Sequence, residues 1–229
     1  MKKVSGLMLL MICIAMSACN KKAQDASASA AAPAPAPAPV AAAPAPSASS
    51  APVELTPEQE QMEKKKALLE YGMMEDQYLN DTKGQWAASA KASSTFGDDR
   101  KNVSSVNQGS NVVGAPDGKT WSNNQQDMGF DWLELSYAKP INATEVRAVF
   151  LGKHATESIS KLELQDTDGK WNTVWSGISD QKEERRGERT WFVKKFDKTA
   201  YKVKAVKLTF ANNLSHGYKE VEAVQIVGE

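Results

Sequence analysis

Cysteine and histidine are scarce in this sequence. Its 229 residues include two cysteines, Cys13 and Cys19, and two histidines, His154 and His216. Because both cysteines lie in the first twenty positions, the rest of the chain has no thiol for a disulfide, a nucleophile or a zinc site. No G-x-S-x-G or H-E-x-x-H motif is present, so we expect no catalysis. A carboxylate pair for glycoside hydrolysis stays open as an alternative, since such a pair is defined by its separation in space.

The sequence also lacks an excess of charge of either sign. It has 28 basic and 28 acidic residues, and the basic ones do not gather in a stripe. We therefore expect no nucleic-acid partner, because phosphate backbones are held by clustered Lys and Arg side chains.

Residues 1–18 have the layout of a secretory signal peptide. The basic residues Lys2 and Lys3 precede an apolar run, Val4–Met16, that is too short to span a bilayer as a helix. The run Met16-Ser17-Ala18-Cys19 resembles a bacterial lipobox. That resemblance implies that Cys19 is acylated, for example with palmitate, and becomes the mature N-terminus. The alternative is a plain signal peptide in which the cysteine has no such role.

The residue after the cysteine bears on where the anchor lies. It is Asn20, and the sorting rule of enteric bacteria reserves Asp at this position for the inner membrane. The resemblance therefore implies a lipid anchor in the cell envelope, in the outer membrane, facing the periplasm or the cell surface. Each buried CH₂ of an acyl chain contributes roughly 0.8 kcal/mol, so several chains on one residue would anchor firmly.

Residues 19–55 combine the predicted lipidated cysteine with a linker, and charge is absent from most of it. Residues 23–53 are nearly all Ala, Pro and Ser, and no Asp, Glu, Lys or Arg occurs from Ala26 to Val53. Such a segment cannot bury a core. Alternating Ala and Pro favour an extended polyproline II spacer, and the alternative is a ligand for proline-binding modules.

Residues 56–84 contain one predicted amphipathic helix. Thr56, Pro57 and Glu58 are typical of a helix start, with an N-cap, a proline at the first position and an acid in the first turn. The helix is expected over 57–80. Its apolar stripe either packs on the rest of the chain or binds a protein partner; the stripe consists of Leu68, Tyr71, Met74 and Tyr78, with Leu69 and Met73 beside it.

Residues 85–229 show the period-two alternation of β-strands. Asp168-Gly169, between two alternating runs, predicts a hairpin with a two-residue turn. The alternation slips between Ala205 and Val206, which predicts a bulge. Short strands separated by turns favour an all-β sandwich or barrel. The predicted strands include Leu133–Tyr137, Val146–Phe150, Leu162–Gln165, Lys170–Trp175, Trp191–Phe196, Val203–Phe210 and Val221–Val227.

A series of motifs in this region resembles the discoidin, or coagulation-factor type C, family of galactose-binding-like domains. The motifs are, in chain order, Trp86–Ser94, Gly114–Gly118 with Trp121, Trp132–Leu135, Ile159–Leu164, Trp171, Val203–Phe210 and Glu220–Gly228. The resemblance implies a jelly-roll β-sandwich of about eight strands over 85–229, with ligand loops at one end. Members of the family mostly bind glycans, lipids or proteins and are seldom enzymes by themselves.

The segment Gly114–Thr120, G-A-P-D-G-K-T, is one residue short of a Walker A phosphate loop. Pro116 has no N–H to offer a phosphate, and Asp117 would place a negative charge beside it. No apolar helical stripe follows Thr120. We therefore expect a structural loop and no nucleotide.

Asp117 is instead a predicted ligand of structural calcium. In the resembled family a calcium ion often braces a loop of this kind, assisted by a Glu that opens the last strand, and Glu222 stands at that place. By alternation Glu222 points inward, where a carboxylate needs a cation or hydrogen-bond donors. The alternative is an Asx turn at Asp117 and a solvated Glu222.

Four polar residues of two loops are candidate ligand-binding residues. His154 lies in the loop 152–158, and Asn212, Asn213 and His216 lie in the loop before the last strand. Planar polar side chains of this kind recognise sugar hydroxyls, and both loops would fall at the ligand end of a jelly roll. The alternative is that they are ordinary polar loop residues.

Tryptophan gives no separate ligand site, because the tryptophans are expected in the core. Trp132 and Trp171 lie on strands beside apolar residues, and Trp121 occupies a place where the resembled family buries a tryptophan.

These features together predict a lipid-anchored cell-envelope protein whose sandwich binds a glycan, such as peptidoglycan, or another envelope component without catalysis. The alternative is a structural or assembly lipoprotein that binds an envelope protein through the helix 57–80 and the sandwich.

Overall fold

The fold is described from a computed structural model of the chain, over residues 55–98, 105–151, 155–181, 183–184 and 186–229. The predictions for the signal peptide, Cys19, the linker and His154 fall outside these residues. Within the described ranges no helix has the length and apolar character needed to cross a membrane.

One α-helix and ten strands form the framework of the described structure, with four short 3-10 helices in the connections. The strands form two antiparallel sheets, which confirms the predicted β-sandwich class. In chain order the elements are α1 (Pro57–Leu79), β1 (Gly84–Trp86), β2 (Ser89–Ala92), β3 (Trp121–Ser122), β4 (Phe130–Ile141), β5 (Ala143–Leu151), β6 (Ile159–Asp166), β7 (Trp171–Ser176), β8 (Arg189–Lys195), β9 (Val203–Ala211) and β10 (Glu220–Gly228).

Each sheet brings together strands that are distant in the sequence. The first sheet has the order β1-β10-β5-β8, with β3 pairing with the start of β10. The second has the order β2-β4-β9-β6-β7. Because β4 and β9 are neighbours, Phe130 pairs with Ala211 and Leu133 pairs with Leu208. The start of β4 and the end of β9 therefore lie at the same end of the sandwich.

The hydrophobic core lies between the two sheets. It contains the residues that point inward from the strands of both sheets, among them Leu133, Leu162 and Leu208, all fully buried. Trp121 is also fully buried, as predicted, and its ring centroid lies 5.6 Å from that of Phe210. A two-sheet core of this kind is what period-two alternation produces when one face of each strand is covered.

Two local features of the second sheet were predicted. β6 and β7 form the expected hairpin, but its turn is longer than the predicted pair Asp168-Gly169. The Asp166 N–H donates to the Lys170 carbonyl and the Gly169 N–H to the Asp166 carbonyl, so residues 167–169 make the turn. Gly169 has a φ of 92°, which glycine adopts without steric cost. The pairing of β9 with β6 shifts register near the start of β9. Asp166 of β6 pairs with Val203, whereas the adjacent Gln165 pairs with Ala205. The irregularity thus lies beside the phase slip predicted at Ala205 and Val206.

The helix starts as predicted and ends one residue earlier, at Leu79. Thr56 caps it, because its hydroxyl accepts from the Gln59 N–H while the Gln59 side chain accepts from the Thr56 N–H. The C-terminal half of α1 packs on the outer face of the first sheet. There Tyr71 is buried with Val149 and Trp191 in a second, smaller core.

The predicted helical stripe packs only in part. Tyr71, Met74 and Tyr78 contact the sandwich, as expected. Leu68 does not, since its side chain is exposed together with those of Leu69 and Met73. The docked stripe is narrower than predicted because only one side of the helix faces a sheet.

Trp132 and Trp171 were predicted as core residues, and the structure corrects this. Leu133 and Leu135 point between the sheets, so Trp132, which alternates with them, points to the opposite face. Both tryptophans are half-buried on the outer face of the second sheet. There the ammonium of Lys207 lies 4.7 Å from the ring centroid of Trp132 and 5.8 Å from that of Trp171. The two tryptophan rings are therefore stabilised by cation–π contact with Lys207 and not by the apolar core contacts that were predicted.

Candidate functional site

The candidate site lies at the end of the sandwich where β4 begins, β9 ends and β10 begins. The segments 123–129 and 212–219 meet there. Their main chains are joined directly, because Asn212 N–H donates to the Gly129 carbonyl at 3.0 Å. Gly217 N–H also donates to Asp127 Oδ1 at 3.2 Å. We call these two segments the paired loops.

A buried carboxylate lies beneath the paired loops. Asp131 accepts hydrogen bonds from the hydroxyls of Ser93 and Ser94, both at 2.6 Å. It also accepts from the side-chain amides of Asn123 at 3.0 Å and Asn212 at 2.8 Å. Burial acts to raise the pKa of Asp131, but these four donors outweigh it and hold the pKa below its ordinary value. The carboxylate is therefore a charged centre that ties three segments of the chain together.

Asn212 belongs to this buried network and not to the surface. Its side chain is fully buried, and Nδ2 donates to both the Met128 carbonyl and Asp131 Oδ2. Because both acceptors require the NH₂ group, the orientation of the amide is fixed and Oδ1 has no partner among the described residues. The prediction that Asn212 contacts a ligand is corrected: it supports the paired loops from below.

Asn213 and His216 are brought to the surface, as their proposed role requires. Asn213 is exposed, and the His216 side chain is 99% exposed. His216 Nδ1 lies 3.6 Å from Asp127 Oδ1, and the Asp127 side chain is about half exposed. Asp127 is a partner that sequence reasoning missed, because an acid in a polar loop has no distinguishing pattern.

An exposed aromatic ring stands at the same end. Phe130 opens β4 and is 70% exposed, like the neighbouring Met128. Sequence reasoning identified no exposed aromatic, although alternation offered a signal. Residues 131, 133 and 135 point inward, so residue 130 must point outward.

Lys219 is a further residue that sequence reasoning missed. It is fully buried, and its ammonium donates to main-chain carbonyls of the paired loops. Its own N–H donates to Asn123 Oδ1 at 2.8 Å. A lysine in the polar sequence around it carries no sign of burial, so only the structure reveals it.

The predicted calcium residues are only partly brought together. Glu222 is buried, and its Oε1 accepts the N–H of Gly118 at 2.6 Å. Arg189 supplies it with a positive charge through two hydrogen bonds, of 2.7 and 3.0 Å. Asp117 is exposed and pairs with Lys119, whose side-chain and main-chain hydrogen bonds lower the pKa of that carboxyl. No group of three or more potential metal-binding side chains occurs in the part of the chain that the structure describes, and calcium stays a prediction.

A separate cavity of about 280 Å³ lies between α1 and β8. Tyr71 and Trp191 form part of its wall. The side chain of Gln181, also in the wall, bonds the N–H and carbonyl of Val193 at 2.9 Å each. This amide covers the free edge of β8 at Val193.

Comparison with known proteins gives structural neighbours only. No protein-family model matches the sequence, and no curated protein matches it. The solved structures that resemble the sandwich include carbohydrate-binding modules.

Three of these neighbours illustrate the range. The module CpGH89CBM32-5 from Clostridium perfringens, in complex with GalNAc-β-1,3-galactose, has 14% identity, covers 66% of this chain and 99% of its own, and gives a TM-score of 0.46. The family 32 module of C. perfringens NanJ, in complex with galactose, has 13% identity, coverage of 62% and 98%, and a TM-score of 0.45. A chitosan-binding module from Paenibacillus sp. IK-5 has 15% identity, coverage of 62% and 96%, and a TM-score of 0.42.

These identities and TM-scores limit the comparison to the fold. At 13–15% identity and TM-scores below 0.5, ligands are not carried from the neighbours to this chain. A ligand site on this chain has to be inferred from the paired loops themselves.

Proposed function

We propose that the sandwich binds a glycan at the paired loops without catalysis, as the recognition domain of a lipid-anchored cell-envelope protein. The observation that carries the proposal is the exposed ring of Phe130 next to the loops that bear Asp127 and His216. An apolar ring beside a few fixed polar groups is the usual composition of a small-molecule site.

The chemistry of a sugar fits this surface. One face of a pyranose ring presents C–H groups that can pack on the ring of Phe130, while the hydroxyls need hydrogen-bond partners. Asp127 accepts, the His216 imidazole can donate or accept, and Asn213 can do both. Since Asp127 Oδ1 and His216 Nδ1 lie 3.6 Å apart, one sugar could meet both groups at the same time.

The anchoring part of the proposal is supported by sequence. The lipobox-like run ending at Cys19 and the Ala/Pro-rich segment after it suit a domain tethered to a membrane. Peptidoglycan is a glycan that such a tether could reach. Labelling with a fatty-acid analogue tests the anchor, and Cys19→Ala is expected to abolish both labelling and membrane retention.

A glycan array and a peptidoglycan pull-down test the binding. We expect His216→Ala and Phe130→Ala to reduce binding without changing the melting temperature, since both side chains are exposed. Met73→Ala is the matched control, because Met73 is 64% exposed on α1, away from the paired loops. Negative results with the wild-type protein in both assays would contradict glycan binding.

A second candidate function is supported by the other side of α1. Met62, Leu69 and Met73 are exposed and recur at intervals of seven and four residues, so they line the side opposite the docked Tyr71. A protein partner could pack there. A photo-crosslinker at Met73 is expected to give protein adducts in cells if this function holds, whereas one at the docked Tyr78 would give few. Sugar-dependent retention of the protein would instead favour the first function.

A further inference from the structure

Lys219 is a lysine without contact with solvent. Its side chain is 0% exposed at the loop end of the sandwich, although lysine is almost never fully buried unless it is paired. Burial lowers the pKa of the ammonium, while the carboxylates of Asp127 and Asp131 act to raise it. The ammonium must gain interactions that offset the loss of its hydration.

Those interactions come from main-chain carbonyls. The distances from Nζ are 2.7 Å to the Gln126 oxygen, 3.2 Å to Asn212, 2.7 Å to Ser215 and 2.6 Å to Gly217. An ammonium has three N–H donors, so four oxygens at this range exceed simple pairing. They surround the charge as carbonyl dipoles surround a dehydrated monovalent ion in a protein.

The four carbonyls are distributed over both paired loops. Gln126 immediately precedes Asp127, and Ser215 and Gly217 immediately flank His216. Because the His216 side chain is almost wholly exposed, packing does not hold it, and its position is set by the main chain. Three of the four oxygens that bind Lys219 are therefore main-chain groups next to the two proposed recognition residues.

We propose that Lys219 is an internal cation that takes the place of a bound metal ion and holds the paired loops in the arrangement that presents Asp127 and His216. It is a positioning residue, since it touches no ligand itself. The effect on loop order follows from the carbonyl cage alone, whereas the effect on glycan affinity depends on the proposed function. Glycan binding at this site then needs no divalent cation.

Hydrogen exchange on the full-length protein gives the main test. Lys219→Met keeps an unbranched side chain one atom shorter and removes the charge and the donors. We expect amides of 123–129 and 212–217 to exchange faster in this variant, with the strands β5 and β10 unchanged. Lys198→Met, at an exposed ion pair with Glu229, is the control and should exchange like the wild type. Unchanged exchange in Lys219→Met would overturn the proposal.

Chemical rescue distinguishes an ammonium from mere filling of space. Lys219→Ala leaves room for a propylammonium ion, which supplies the missing carbons and the three donors. We expect propylammonium to slow loop exchange in Lys219→Ala, while tetramethylammonium, which cannot donate, has no effect. Equal effects of the two ions would contradict a donor cage.

Two measurements on the wild-type protein keep the proposal testable if the variants do not fold. An amine-acylating reagent should modify Lys198 readily and leave Lys219 unmodified; acylation of both at similar rates would overturn the burial. A chelator should leave exchange of the paired loops unchanged, and loosening by the chelator would show that a metal ion organises them.

The glycan arm separates the two proposals. If the wild type binds a sugar, Lys219→Met should lower the affinity for that sugar by about tenfold or more. A chelator should leave the wild-type affinity unchanged. If the wild type binds no sugar, the proposed function fails, while loop exchange still decides the role of Lys219.

Discussion

Arg189 forms a two-point ion pair with Glu222, with Nε 2.7 Å from Oε2 and Nη2 3.0 Å from Oε1. The Glu222 side chain is fully buried, whereas that of Arg189 is 29% exposed. Arg189 also lies 3.6 Å from Glu75 on α1, and its carbonyl accepts the Tyr71 hydroxyl at 2.6 Å. Arg189 of β8 therefore neutralises the buried charge of Glu222 on β10 and connects that strand to the helix.

Removal of Arg189 should destabilise the whole unit. Arg189→Met leaves Glu222 buried without a counter-charge, and breaking a buried pair on one side costs about 3 kcal/mol or more. Urea unfolding measures the loss. The double variant Arg189→Met, Glu222→Gln should recover part of it, because the uncompensated charge is then gone. A double variant no more stable than the single one would argue against charge burial as the cause.

Calcium binding can be tested through the same residue. A calcium ion bound by Asp117 and Glu222 would have to displace Arg189 from the Glu222 carboxylate. Calorimetry is therefore expected to show tighter calcium binding by Arg189→Met than by the wild type, and chelator should lower the melting temperature of the calcium-loaded variant. The absence of heat and of any melting shift in both proteins would contradict the predicted site.

Two glycines provide a matched test of helix docking. A Cβ on Gly187 would overlap the ring of Tyr71, whereas a Cβ on Gly72, one residue further along α1, would meet nothing within 4 Å. Gly187→Ala should displace Tyr71 and cost about 1–3 kcal/mol of stability. Gly72→Ala should stabilise the helix by up to about 1 kcal/mol. Thermal unfolding followed by near-UV circular dichroism measures both, and equal effects would contradict the described packing.

The sequence predicted the elements whose pattern is local. Alternation identified the main strands, Asp168-Gly169 identified the hairpin, and the Thr56 cap identified the helix start. Each of these depends on neighbours within a few positions, so the chain carries the signal directly. The two-sheet pairing followed from the resemblance and not from any local pattern.

The candidate site was predicted less completely because it depends on contacts between distant residues. Asn212 looked like any polar loop residue until Asp131, 81 positions earlier, was seen to accept from it. Lys219 is surrounded by main-chain carbonyls, which every residue type has. The residue types in the sequence therefore cannot predict this arrangement. Trp132 was assigned to the core because it lies on a strand beside apolar residues, although its phase relative to Leu133 already placed it on the outer face.

Asp131 should make the stability of the sandwich depend on pH. Burial acts to raise its folded pKa, but hydrogen bonds from Ser93, Ser94, Asn123 and Asn212 lower it further, to below the ordinary value. An unfolded aspartate titrates at about 3.9. A depressed folded pKa means that the stabilisation is fully present above the unfolded value and is lost as pH falls through the folded one.

Asp131→Asn removes this charge while keeping the shape of the side chain. At pH 7 the variant is expected to be less stable than the wild type by about 2–3 kcal/mol, since hydrogen bonds to a charged group are lost and one amide NH₂ faces other donors. Below about pH 3.9 the difference should shrink, because Asp131 of the wild type is then protonated in the unfolded state while the folded state still holds it charged. Urea unfolding at pH 7 and at pH 3 measures both values. A difference that stays constant between the two pH values would show that the charge of Asp131 does not stabilise the loop end.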